Sequence, residues 1–195
     1  MVWYTYPVPT QNGSGEMIMK FVVPAGGVEL VEFVPPVVGS FYELSIGAKT
    51  DGDANPFYGV DITFNDDDDS GNYMSHELHV HQEDDSGNDV IEQVRVTGAN
   101  GIHSTCGVPT DFPDVISGNL LNFKIQNVSG IIANRAATWE SGFSARNWED
   151  IRETDYVSGN GEWLSSEQIT KITIKSGFTG LIFQEGSTFV LRVIL

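Results

Sequence analysis

The stretch Ile169-Thr170-Lys171-Ile172-Thr173-Ile174, with Gly186-Ser187-Thr188-Phe189-Val190-Leu191 behind it, decides the fold class. In its second half isoleucine alternates with threonine, the period-two pattern of a strand with one buried and one wet face. The Gly-Ser step reads as a turn, and a second strand follows to the final residue. Phe189, Leu191 and Val193 share one face of it, with Val190, Arg192 and Ile194 on the other. Together the two segments predict a closing β-hairpin. A last strand apolar on both faces should be covered on both, so deleting 187–195 should destroy the fold.

The same alternation recurs upstream. Tyr42, Leu44, Ile46 and Ala48 share a face, as do Val60, Ile62 and Phe64, and Leu121, Phe123 and Ile125. Leu78 and Val80 alternate with His79 and His81, which predicts an apolar inner face and a histidine-bearing outer one. Further strands are expected at 16–23, 28–34, 90–97 and 130–140, separated by Gly-, Asn- and Asp-rich turns, Ser158-Gly159-Asn160-Gly161 among them. About ten strands and almost no helix predict an all-β fold, an antiparallel β-sandwich of jelly-roll type. Residues 98–115 and 141–164 read as long irregular loops, and the strands 57–66 and 73–83 as arms of an acidic hairpin. The expected organisation is an extended N-terminal arm with a first strand over 1–27 and a single sandwich domain over 28–195.

Composition narrows the function classes. With 27 acids against ten Lys and Arg, the net charge is −17, which argues against nucleic acid and anionic membrane as partners. The lone Cys106 allows no internal disulfide. Met1-Val2-Trp3-Tyr4 lacks the pattern of a signal peptide, and charges and prolines interrupt every apolar run before it reaches the roughly 18 residues of a membrane span. The expectation is a soluble product made in a cytoplasm.

Candidate sites are sparse. Asp66, Asp68, Ser70, Gly71 and Glu77 fall at the spacing of a calcium loop, although between strands rather than helices; a solvated acidic turn is the plainer reading. No cofactor is therefore expected, with calcium at this turn as the alternative. His76, His79 and His81 suggest zinc, but a zinc site needs three or four converging ligands. His103-Ser104-Thr105-Cys106 sets nucleophiles beside a histidine without the geometry a triad uses, so no catalytic residue is assigned. Trp3, Tyr4, Tyr6, Trp148 and Trp163 lie in less regular segments and are the candidate interface residues, for a subunit contact or for stacking on sugar.

Taken in order, several of these segments resemble a group of small jelly-roll-like virion proteins of tailed bacteriophages. The resemblance runs through Phe41-Tyr42-Glu43-Leu44-Ser45-Ile46, then Ile62-Thr63-Phe64-Asn65-Asp66 leading to Asn72-Tyr73, then Trp163, the Ile169–Ile174 strand, Phe183, Gly186-Ser187-Thr188-Phe189 and Leu191. It implies a structural, non-enzymatic protein of the virion. The chain length favours a capsid decoration (cement) protein that binds the major capsid protein on the outer head surface, as a homotrimer of copies of itself. The alternative is a receptor-binding or tail-tip module recognising host glycan.

Overall fold

The computed structural model describes residues 10–12, 15–51, 57–83, 88–97, 100–109, 116–128, 134–146 and 152–195. The strands in chain order are β1 (Thr10–Asn12), β2 (Glu16–Val22), β3 (Leu30–Phe33), β4 (Phe41–Gly47), β5 (Phe57–Phe64), β6 (Tyr73–Glu83), β7 (Asn88–Thr97), β8 (Ile102–Pro109), β9 (Ile116–Gln126), β10 (Arg135–Arg146), β11 (Arg152–Trp163), β12 (Ile172–Ser176) and β13 (Thr188–Ile194). Among the described residues the only helical element is a 3-10 turn, η1 (Ser70–Asn72).

The strands form two antiparallel sheets. The large one has the order β1-β2-β13-β4-β9-β10-β11-β6-β7 and the small one β3-β12-β5-β8. A simple pairing rule lies beneath these orders. β2 pairs with β13, β3 with β12, β4 with β9 and β5 with β8, so the early strands meet the late ones from the outside in. Successive pairs alternate between the sheets, which is the winding of an eight-stranded jelly roll. Two inserted pairs, β6–β7 and β10–β11, lengthen the large sheet beyond β9.

Alternation explains the core between the sheets. Tyr42, Leu44 and Ile46 from β4, Leu121, Phe123 and Ile125 from β9, and Phe189, Leu191 and Val193 from β13 are all buried against Phe33, Ile62, Phe64, Ile172 and Ile174 of the small sheet. Tyr42 shows how its one polar atom survives there: the hydroxyl donates to the Ile169 carbonyl at 2.7 Å and accepts from Asn127 Nδ2 at 3.2 Å. The buried Arg135 guanidinium donates to the carbonyls of Val128, Ser166 and Glu167, fixing the chain that leads into β12.

Three expectations are corrected. First, β12 and β13 are not a hairpin; they lie in different sheets. Residues 177–187 cross the end of the sandwich, anchored by the buried Phe183, which bridges Val28 and Thr50 and sets its ring 4.9 Å from that of Phe189. Second, β5 and β6 also belong to different sheets, so the acidic segment between them is a corner and not a hairpin turn. Third, much of 141–164 is strand, in the two twelve-residue partners β10 and β11. Gly159 and Gly161 are strand positions there, and Trp139 fills the space that side chains would have taken. β2, at the strand expected over 16–23, is hydrogen-bonded along β13 and buries Met17 and Met19.

Candidate functional site

The acidic corner is built to carry the chain from one sheet to the other. Asn65 and Asp66 adopt left-handed backbone (φ 52 and 61), which short polar side chains tolerate. Asn65 then spans the gap to the β12 approach: its Nδ2 donates to the Gln168 carbonyl and its Oδ1 accepts from the Thr170 N–H, both at 2.8 Å. Asp67 Oδ2 accepts from Trp163 Nε1 at 2.7 Å and from Asn72 Nδ2 at 2.9 Å. The Tyr73 hydroxyl donates to the Asp67 carbonyl and accepts from the Phe64 N–H.

This geometry separates the residues of the calcium spacing. Asp66 forms an ion pair with Lys171 at 2.7 Å, whereas Glu77 is buried inside the sandwich and accepts from Trp139 Nε1 at 2.8 Å. Asp68 and Ser70 stay at the corner. Among the described residues no three or more His, Cys, Asp or Glu side chains are arranged to hold a metal ion. Of the histidine run, His76 is exposed on the outer face, His79 is half-buried on the opposite one, and the side chain of His81 lies outside the described residues.

Trp163, an expected interface residue, is 1% exposed, its ring 5.6 Å from that of Phe64. A tryptophan at a strand end reads as irregular surface until its partner, Asp67, is known. Trp3, Tyr4, Tyr6 and Trp148 lie outside the described residues.

Asp67 links the corner to pH. Partial burial pulls its carboxyl upward, but hydrogen bonds from Trp163, the Asp69 N–H and Asn72 outweigh that pull and hold it below the usual carboxylate range. A depressed folded-state pKa contributes stability above the unfolded value of about 3.9, and that contribution is lost as pH falls through the folded value. We therefore expect Asp67→Asn to lower the melting temperature at neutral pH and the wild-type and variant curves to converge in acid. Parallel curves from neutral pH to pH 3 would exclude this linkage.

A second polar group lies where β8 meets β6. His103 Nδ1 is 2.6 Å from Asp61 Oδ1, its cross-strand partner on β5, and the His103 N–H donates to Ser75 Oγ across the sandwich. The ring packs on Gly59 and Gly177, where an added Cβ would come within 2.9 and 2.8 Å of its Cε1. Burial lowers the imidazole pKa, but the hydrogen bond and charge of Asp61, with the charge of Glu77, more than reverse this and raise it. Ser104, next in sequence, is fully buried, and the Cys106 side chain lies outside the described residues. What the pair does is tie β5 to β8.

The outer face of the large sheet runs against the sequence reading. Glu77 and His79 face inward, and Leu78 (41% exposed) faces solvent with Val80. The reason is register. β6 must present Tyr73, Ser75 and Glu77 to the core, and that parity sends its apolar residues out. The pairings then align one row across five strands: Leu120, Gly142, Tyr156, Val80 and Ile91. Leu120 is 49%, Tyr156 45% and Ile91 68% exposed. Among the residues whose side chains are described, the charges on this face balance: Lys20, Arg95, Lys124 and Arg192 against Glu16, Glu43, Glu140 and Glu162. Arg192 is held by Glu43 at 2.8 Å and by Glu16. In a chain of net charge −17, a broad neutral surface with an exposed apolar row is the strongest candidate for contact with another protein.

No family model matches the chain, and neither the curated proteins nor the solved structures contain a significant match to it.

Proposed function

We propose that the chain is a structural protein of a tailed-bacteriophage virion: a decoration protein that binds the major capsid protein on the outer surface of the head and stabilises the shell by bridging capsomers. The observation that carries this reading is where the resembling residues fall. Tyr42, Leu44, Ile46, Ile62, Phe64, Tyr73, Trp163, Ile172, Ile174, Phe183, Phe189 and Leu191 are all buried, and they build the frame of the jelly roll. The resemblance therefore concerns the scaffold, and jelly rolls serve capsids and lectins alike. The outer face supports a contact role, since it carries an exposed apolar row with little of the chain's excess charge.

Two roles compete on this scaffold. The alternative is a glycan-reading tail module, since jelly rolls serve lectins as well as capsids. Quantitative binding to purified expanded capsids separates them. A decoration protein should bind in copy numbers comparable with those of the shell subunit and raise the melting temperature of the particle. Saturation at a few copies per particle, with no thermal shift, would sink the decoration reading in favour of the tail.

A further inference from the structure

Among the described residues, the large sheet ends in a strand paired on one side only. β7 pairs along its ten residues with β6, without a register shift, and among the described residues β6 is its only hydrogen-bonded neighbour. The other sheet edges are short or covered. β1 has three residues, β3 has four, and β8 meets β6 through the His103–Ser75 hydrogen bond. Proteins blunt exposed edges with charged side chains, proline, bulges or very short strands, and β7 has only the first of these, at Asp89, Glu92 and Arg95. β7 contains no proline and no bulge, and it carries Ile91, 68% exposed, as the end of the apolar row.

We propose that the open edge of β7 pairs with β7 of a second copy of this chain, antiparallel and about a two-fold axis at Gln93, to make one continuous sheet through both molecules. The register follows from geometry. Residues directly opposite each other in an antiparallel pair point to the same face, so a two-fold contact between identical strands must place one residue on the axis. The midpoint of Asn88–Thr97 falls between Glu92 and Gln93. An axis at Glu92 would set two carboxylates opposite each other, which is unfavourable. An axis at Gln93 sets two amides opposite each other, Glu92 opposite Val94, and Arg95 opposite Ile91.

No like charges are then directly opposite each other, and the two Glu92 residues are diagonal neighbours only. The aliphatic stem of Arg95 covers the most exposed large apolar side chain of its partner. β7 itself carries only Asp89, Glu92 and Arg95, a net charge of −1 per strand in a chain of −17, so the seam holds little of the chain's excess charge. The contact is isologous and closes as a dimer, in place of the trimer that the sequence suggested. It stands independently of the virion reading, because it uses the edge and its charges alone.

Sedimentation velocity on wild type, Gln93→Glu and Gln93→Lys tests it. Wild type should sediment as a dimer at high micromolar concentration. Each substitution places like charges on the axis and should weaken association roughly twofold to fivefold. Mixing the two variants should restore association at least to the wild-type level. Gln93 is exposed, so both variants should keep the wild-type melting curve as monomers. A monomeric wild type, a trimer, a dimer that neither substitution affects, or a mixture that associates no better than its components would overturn the proposal.

Discussion

A chain that stops at Gly186 should fail to fold. Deleting Ser187–Leu195 removes β13, which is hydrogen-bonded along β2 on one side and β4 on the other. Phe189, Leu191 and Val193 are fully buried, and each contributes about 2 kcal/mol by burial. Their loss alone rivals the whole net stability of a typical domain, about 5–15 kcal/mol. The damage is also topological, because β2 would be left with only the three-residue β1 as its partner. The truncated protein should be insoluble, or soluble with no cooperative thermal transition by circular dichroism. A sigmoidal melt close to that of wild type would show that β13 is not a central strand.

That strand also shows what the sequence could and could not reveal. Its alternation announces a strand, and Phe189, Leu191 and Val193 do form the inner face. Its partners were hidden, because period-two patterning sets which face is buried and not which strand lies alongside. A turn signal at Gly186-Ser187 favoured the nearest partner, whereas the buried Phe183 in the connection makes the chain cross to the other sheet. The glycines of β11 misled for a related reason. Ser158-Gly159-Asn160-Gly161 has turn chemistry, and nothing local discloses that an indole from β10 needs the space.

The candidate surface was legible only in inverted form. Leu78 and Val80 stand out as apolar residues between histidines, and apolar positions are assigned inward by default. What sends them outward is Glu77, a buried acid whose acceptance of the Trp139 N–H decides the parity of β6. The donor lies 62 positions away in sequence. A long-range core contact of this kind overrides local patterning. Its consequence is the exposed apolar row that ends at Ile91.

The second large effect is expected at Gly159, opposite Trp139 in the β10–β11 pair. A methyl group there would lie 2.1 Å from Trp139 Cε2 and 2.3 Å from Cζ2, so the ring would have to move. It has nowhere to go. Its far end already crowds Gly161, where a Cβ would stand 3.1 Å from Cζ3, and the Phe123 ring is 5.3 Å away on β9. Rotation would also withdraw Nε1 from the buried Glu77 carboxylate. Overpacking costs about 1–3 kcal/mol and loss of a charge-assisted hydrogen bond about 1.5–3 kcal/mol more. Gly159→Ala should therefore lower stability by about 4 kcal/mol and the melting temperature by about 10 °C for a chain of this size. Trp139→Leu removes the obstructing ring but leaves a cavity and an undersatisfied Glu77, a loss of similar size. Because both substitutions act on one contact, the double variant should lose far less than the sum of the two single losses. Chemical denaturation of all four proteins measures that coupling, and strictly additive losses would show that the indole does not occupy the space above Gly159.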